Sequence, residues 1–181
     1  MSLNFWKGAS TKRKRIYSII AIFALALIVT VLGMLVPLSP QQAKTIYDDV
    51  NSTLQSSQAN GTLASYIFGN NLMICLIMFI PIAGPIVGFT IIFSSGTALS
   101  AIAIAQGYPP YLALIAEFVT PVFWLEFVAY STAIAGSIWL LRRMLQHKGK
   151  YEIRNTCILI AICAVILLVT AHIETTIIGL A

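Results

Sequence analysis

Few residues in this sequence could carry chemistry, because only eleven basic and six acidic side chains occur among its 181 residues. Glu126 is the clearest candidate, since it lies inside a long apolar run that contains no lysine or arginine to neutralise it. A carboxyl group in hydrocarbon is costly unless it is neutral, hydrogen-bonded or charge-compensated. Glu126 therefore indicates one of three roles: a hydrogen bond between helices, the passage of a proton or cation, or ligation of a metal ion.

Two asparagines are the predicted partners of this carboxyl group. Asn70 and Asn71 open another apolar run at a similar expected depth, which favours a polar contact between helices with Glu126. A metal site is not predicted, because His172 and Glu174 are two residues apart and point about 200° apart on a helix. We identify no catalytic set and no cofactor motif, so the sequence predicts a protein that is not an enzyme.

The elements that must position these residues are membrane-spanning helices. The 67 residues from Val50 to Ala116 carry no charge, and 59% of all residues are hydrophobic. About 20 apolar residues in a helix cross the ~30 Å hydrocarbon core of a bilayer. We predict an all-α, polytopic helical bundle that forms one integral membrane domain over residues 1–181. Its five predicted spans cover about 16–36, 66–82, 88–106, 121–141 and 156–178, with a short lead-in segment at 111–119 before the fourth.

A break must separate the second span from the third. The 41 uncharged residues from Tyr66 to Gln106 would form a helix of ~60 Å, about twice the thickness of the hydrocarbon core. Proline removes a backbone donor and glycine lowers helix propensity. The predicted break residues are Pro81, Gly84, Pro85 and Gly88. The uncharged link that they form is expected to dip into the bilayer.

The polar segment 37–65 is predicted to lie outside the hydrocarbon core. Ser39 and Gln42 have the spacing of a capping box, with Pro40 at the first helical position. Apolar residues then recur at helical spacing, which favours an amphipathic helix on the membrane surface or on the other spans, the alternative being a loosely ordered loop. Asn51 and Asn60 each begin an N-x-Ser/Thr triplet, so both are possible glycosylation sites on this segment.

The basic residues predict the orientation, because cytoplasmic loops of membrane proteins are enriched in lysine and arginine. Ten of the eleven fall on one side of a five-span arrangement, and only Lys44 falls on the other. The ten are Lys7, Lys12, Arg13, Lys14, Arg15, Arg142, Arg143, Lys148, Lys150 and Arg154. We therefore expect a protein of the cell membrane with a cytoplasmic N-terminus and an external C-terminus.

Small residues at four-residue spacing predict where helices pack closely. The third span has Thr97, Ala101 and Ala105, and the fourth has Ala129 and Ala133 with Ser137 after them. These stripes favour face-to-face packing of the two spans over the alternative of a substrate path lined by small residues. The three cysteines, Cys75, Cys157 and Cys163, are expected to be small buried hydrophobes within spans.

Between about Phe68 and Leu141 the sequence resembles the stage II sporulation protein M family of multi-pass membrane proteins, in an archaeal-like form. The resemblance lies in Asn70-Asn71-Leu72, Met78-Phe79-Ile80-Pro81, Gly84-Pro85-Ile86-Val87-Gly88, Gly96 and the run from Pro121 to Tyr130. Many members read Pro-His-Gly-x-x-Glu in that last run. This chain keeps Pro121 and Glu126 but has Val122 and Phe123 at the intervening positions. The resemblance implies a membrane scaffold, and it carries over Asn70, Asn71 and Glu126 as a polar contact between helices.

The expected function is that of a non-enzymatic scaffold or accessory subunit in a larger membrane assembly, for example a membrane-bound monooxygenase or a respiratory-type complex. The expected partners are the lipid bilayer and either other integral membrane subunits or further copies of this chain. Nucleic acid is not an expected partner, because the net charge of +5 is accounted for by anchoring at a cytoplasmic, anionic membrane surface. The alternative is a small transporter or channel that uses Glu126 inside the membrane.

Overall fold

The computed structural model describes residues 10–180, which form seven helices and no strand. Lys7, one of the basic residues used to predict orientation, lies outside this range. The helices are α1 (Thr11–Met34), α2 (Pro40–Ala59), α3 (Leu63–Met78), α4 (Ala83–Ala105), α5 (Pro110–Val119), α6 (Pro121–Leu145) and α7 (Gly149–Leu180). The all-α class predicted from the sequence is confirmed for these residues.

Four of these helices are long and apolar enough to cross a membrane: α1, α4, α6 and the part of α7 from Glu152 to Gly179. The predicted second span corresponds to α3, which is apolar but has only 16 residues. The lead-in segment predicted at 111–119 is the short helix α5, which ends where Pro121 begins α6. The indole nitrogen of Trp124 donates to the carbonyl of Phe118 at 2.8 Å and holds this corner together.

The centre of the bundle is α6, whose residues 129–137 are all buried. It packs most extensively against α7 and also contacts α1, α3, α4 and α5. Small residues on α6 allow its neighbours to come close. Gly136, for example, lies against the ring of Phe79 from the α3–α4 link. Cys163 of α7 reaches the carbonyl of Ala129, with 3.6 Å between sulfur and oxygen. This central stretch of α6 is enclosed by its neighbours, whereas Val128 and Ile138 on either side of it are exposed.

The polar segment forms the predicted helix, α2, and its N-terminus confirms the predicted capping box. The hydroxyl of Ser39 accepts from the backbone N–H of Gln42, and the Gln42 side chain accepts from the backbone N–H of Ser39. Pro40 occupies the first turn, where its missing donor is not needed. The helix packs mainly on α4, with Ala43 fully buried. It therefore covers the end of a span rather than forming a loose loop.

The break between α3 and α4 is shorter than the sequence suggested. The third span was predicted to begin at about 88, but α4 begins at Ala83, so Gly84, Pro85 and Gly88 lie inside the helix. This part of the prediction was wrong because proline is tolerated in the first turn of a helix, where no backbone N–H is needed. The two glycines serve packing instead: a Cβ on Gly84 would lie 2.1 Å from the Met78 carbonyl oxygen.

The chain reverses at Ile82, where the backbone has φ 70° and ψ −60°. The N–H of Ala83 donates to the carbonyl of Pro81 at 2.8 Å, which closes a γ-turn with a positive central φ. Such a turn is rare and strained for a β-branched residue. Tight packing of α3 and α4 on either side of the turn holds it in place.

The third and fourth spans contact each other only in part as predicted. Gly88 of α4 lies against Ile134 of α6, so the two helices do meet near the start of α4. Further along α4, the small residues face α1: a Cβ on Gly96 would lie 2.1 Å from the carbonyl oxygen of Thr30, and the Thr97 hydroxyl donates to the carbonyl of Gly33 at 3.0 Å. The small residues of α4 were thus correctly predicted to pack closely, but at Gly96 and Thr97 the neighbouring helix is α1 and not α6.

Candidate functional site

The structure brings together Asn71 of α3 and Glu126 of α6. The side-chain amide of Asn71 donates to a carboxyl oxygen of Glu126 at 2.5 Å. Asn70 is exposed and donates to the amide oxygen of its neighbour Asn71 at 3.4 Å. Asn71 rather than Asn70 is therefore the direct partner, because only one of two consecutive helical residues can face α6.

A cavity of about 510 Å³ opens next to this contact, and we call it the carboxylate cavity. Three carboxyl groups line it, from Asp49 of α2, Glu126 of α6 and Glu174 of α7, together with Tyr66 and uncharged side chains. Among residues 10–180, no lysine or arginine belongs to its lining. The cavity is therefore acidic and polar, and it lies where α2 covers the ends of α3, α6 and α7.

Glu117 adds a further negative charge to this region, although it lies on α5 and not in the cavity wall. It acts electrostatically on both Glu126 and Glu174. Burial raises the pKa of the Glu117 carboxyl above its ordinary value. Four carboxyl groups thus lie at one end of the bundle, and no basic side chain in the described part of the chain lines the cavity.

The geometry of the carboxylate cavity does not resemble a metal centre. His172 is on the other face of α7 from Glu174, where it lines a separate shallow pocket. Its Nδ1 lies 2.8 Å from the carbonyl oxygen of Leu168, within its own helix. Within residues 10–180 no group of three or more histidine, cysteine, aspartate or glutamate side chains is arranged to hold a metal ion.

A second polar cluster lies at the other end of α6, and sequence reasoning did not identify it. Arg15 of α1 forms an ion pair of 2.5 Å with Glu152 of α7, and Arg143 of α6 is 4.0 Å from the same carboxylate. The indole of Trp139 lies beneath Arg15, with 5.3 Å from the guanidinium carbon to the ring centroid. Glu152 is the residue from which the sequence could have predicted this cluster, because it is the one acidic residue inside the basic stretch from Arg142 to Arg154.

The remaining candidate residues occupy structural positions. Asn51 lies within α2, and Asn60 caps its C-terminus and is exposed. Cys75 of α3 and Cys163 of α7 are both buried, and neither forms a disulfide. Cys157 is exposed on α7, so the expectation that all three cysteines are buried was wrong.

Taken together, these contacts can hold helices in register and can present negative charge at one end and positive charge at the other. They do not assemble a nucleophile, a general base and a stabilising donor around a common point, which acyl or phosphoryl transfer would need. No protein-family model, no curated protein and no solved structure matches this chain.

Proposed function

We propose that the chain crosses the membrane five times, with a cytoplasmic N-terminus and an external C-terminus. Four crossings are the long apolar helices, and α3 is the additional one. Its 16 residues span about 24 Å at 1.5 Å per residue. Support comes from the start of α1, the end of α6 and the start of α7, which meet through Arg15, Arg143 and Glu152. These segments carry the predicted cytoplasmic basic residues, so a common location agrees with the bias of lysine and arginine toward the cytoplasm.

Within this topology, we propose that the protein is a non-enzymatic scaffold or accessory subunit of a larger membrane assembly. The observation that carries the proposal is a set of small hydroxyl residues on the outside of α4, which we call the hydroxyl face: Thr90, Ser94 and Ser95. All three are exposed in the middle of a span. Small residues on a span allow another helix to approach closely, and this packing drives association inside a bilayer.

The contrast with the other spans strengthens this argument. Large aliphatic side chains dominate the exposed face of α1 at Ile20, Ile28 and Leu32, and that of α7 at Ile162 and Val165. Such faces suit contact with lipid chains. The hydroxyls of Thr90 and Ser95 bond to carbonyls of their own helix, so they need no partner for themselves. The small side chains leave room for a neighbouring backbone beside the exposed Ile86 and Phe93 of the same helix. The partner is another integral membrane subunit or a second copy of this chain.

The test is purification in a mild detergent, followed by mass spectrometry of chains that purify with the protein. We expect a defined partner or a homo-oligomer with the native chain, and its loss with Ser94→Trp because the bulky ring prevents close approach. Ile28→Trp is the matched control, since it places the same ring on the lipid-facing side of α1. A monodisperse monomer without partners, or an assembly that survives Ser94→Trp, would contradict the proposal.

A second candidate, passage of protons or cations, is favoured by the carboxylate cavity. Its three carboxyl groups and the absence of a basic lining residue suit the attraction of cations. Flux measurements in liposomes separate the two candidates. A Glu126→Gln variant that assembles normally but abolishes proton or cation flux would favour transport, whereas absence of flux in the native protein would eliminate it.

A further inference from the structure

A groove lies between α1 and α7 at the end of the bundle opposite to the carboxylate cavity. Both helices pack on α6, and α6 forms the floor of the groove through Ala135, Gly136 and Trp139. We call it the basic groove, and its volume is about 540 Å³. This volume is within the ~300–1,000 Å³ that is usual for sites that bind small molecules.

The mouth of the basic groove has an excess of positive charge. Its described lining contains four basic residues, Lys12, Arg15, Arg143 and Lys148, and one acidic residue, Glu152. Glu152 is itself buried, and its carboxylate is already engaged by Arg15 and lies near Arg143. Both lysines are exposed. The buried carboxylate therefore holds Arg15 in position, and the charges of Lys12, Arg143 and Lys148 leave the groove with a net positive charge for an anion.

The depth of the basic groove is mainly apolar, and its polar residues there, Thr132 and Asn155, carry no charge. Ile19 lies one helical turn beyond Arg15 on α1, and Leu159 lies about two turns beyond Glu152 on α7. Ile158 lines the groove beside Leu159 and is exposed. The lining thus changes from cationic at the mouth to aliphatic toward the middle of the bundle, along the direction of the spans.

We propose that the basic groove binds one anionic phospholipid. Its phosphate lies against Lys12, Arg143 and Lys148 at the mouth, and part of an acyl chain lies between Ile19 and Ile158. The groove and a phospholipid match at both ends. The basic mouth complements the negative charge of the headgroup, and the aliphatic depth suits the acyl chain that follows it. Basic pockets between spans on the cytoplasmic side of a membrane protein are suited to anionic headgroups.

Quenching of Trp139 by brominated lipid tests this site directly. The sequence has three tryptophans, so Trp6→Phe and Trp124→Phe leave Trp139 as the only fluorophore of this kind. The probes are phosphatidylglycerol and phosphatidylcholine, each brominated near the headgroup end of the acyl chain, at equal mole fractions in mixed micelles. We expect stronger quenching by the brominated phosphatidylglycerol, because Trp139 is only 6% exposed and is reached through the groove.

Two double variants separate the groove from the basic surface as a whole. Lys12→Gln/Lys148→Gln removes two lining charges, and each loss should weaken the apparent affinity for phosphatidylglycerol about fivefold. Lys14→Gln/Lys150→Gln is the matched control. Lys14 lies on α1 like Lys12, and Lys150 follows Lys148 by two residues, but neither lysine lines the groove. The control variant should leave the lipid preference near that of the parent protein.

Three results would overturn the proposal. Equal quenching by the two brominated lipids would show no headgroup preference. Equal loss of preference in both double variants would assign the effect to general surface charge. Removal of the preference by millimolar inorganic phosphate would identify free phosphate as the occupant. Comparable thermal unfolding of both double variants in detergent would confirm that the comparison concerns binding, and both lysines of the groove variant are exposed, which favours normal folding.

Discussion

At the scale of single residues, Glu126 and Asn71 form the polar contact that joins α3 to α6. The carboxyl group accepts a hydrogen bond from the amide of Asn71, and both side chains are partly buried. Glu174 lines the same cavity as Glu126, and no basic side chain of the described residues lines it. The contact of Glu126 with Asn71 is therefore a hydrogen bond between polar side chains and not an ion pair.

The first prediction concerns this contact. Glu126→Leu should destabilise the protein by about 1–2 kcal/mol, because the amide of Asn71 loses its partner between apolar helices. Glu126→Gln should change stability little, since its amide oxygen can still accept from Asn71. Unfolding in graded detergent mixtures gives the comparison.

Asn71→Leu and Asn70→Leu form a matched pair for the same contact. The first should be destabilising and the second nearly neutral, because Asn70 is exposed and does not reach Glu126. If the two leucine variants unfold alike, the hydrogen bond does not stabilise the α3–α6 interface.

Ile82 provides a second prediction at this scale. Its φ of 70° is unfavourable for a β-branched residue, and its side chain is 64% exposed, so it loses little contact on truncation. Ile82→Gly should therefore stabilise the folded protein by about 1 kcal/mol through relief of backbone strain. Ile80→Gly is a useful comparison, because Ile80 is also exposed but has no positive φ. A lower stability of Ile82→Gly than of the parent chain would contradict this account.

At the scale of elements, the crossing of α1 and α4 depends on two glycines. A Cβ on Gly33 would lie 2.0 Å from the carbonyl oxygen of Phe93, and a Cβ on Gly96 would lie 2.1 Å from that of Thr30. Backbone atoms cannot yield as a flexible side chain can. The two helices therefore approach closely only because each contributes a glycine at the crossing.

The third prediction follows from this crossing. Gly96→Ala should destabilise the protein by about 1–3 kcal/mol, because the added methyl group must push α1 away from α4. Gly69→Ala, in α3, is the control: a Cβ there meets nothing within 4 Å. It should be neutral or stabilising by up to about 1 kcal/mol, since alanine is the better helix former. Similar unfolding of the two variants would mean that α1 and α4 are not in close backbone contact.

The same elements show what the sequence could and could not predict. The start of α2 was predictable, because Ser39, Pro40 and Gln42 act within one helical turn. Asn71 and Glu126 were predictable as partners, because polar groups in apolar runs need one another. The partner of the α4 stripe was not predictable, because small residues on one helix carry no information about which neighbour comes close. The short break at Ile82 could not be predicted from the sequence either, since it depends on the packing of the helices around it.

At the scale of the whole molecule, the charges separate along the bundle. Carboxyl groups gather around the cavity at the start of α6, and lysines and arginines gather around the groove at its end. Of the ten basic residues within 10–180, nine belong to the segments that meet at the groove end, and Lys44 is on α2 at the other end. A bilayer with an anionic cytoplasmic surface would hold the molecule in the orientation that we propose.

The fourth prediction tests this orientation and the crossing by α3 together. In a chain whose native cysteines are replaced by alanine, Lys148→Cys and Ser52→Cys place single thiols at opposite ends, and both positions are exposed. A membrane-impermeant maleimide applied to intact cells should label Ser52→Cys and spare Lys148→Cys, and opening the cells should expose Lys148→Cys. A third thiol at Ile82→Cys, on the exposed turn between α3 and α4, should behave like Lys148→Cys, because α3 must return the chain to the cytoplasmic side. Labelling of Ile82→Cys in intact cells would mean that α3 does not cross, that the chain has four spans, and that the basic residues do not set its orientation as proposed.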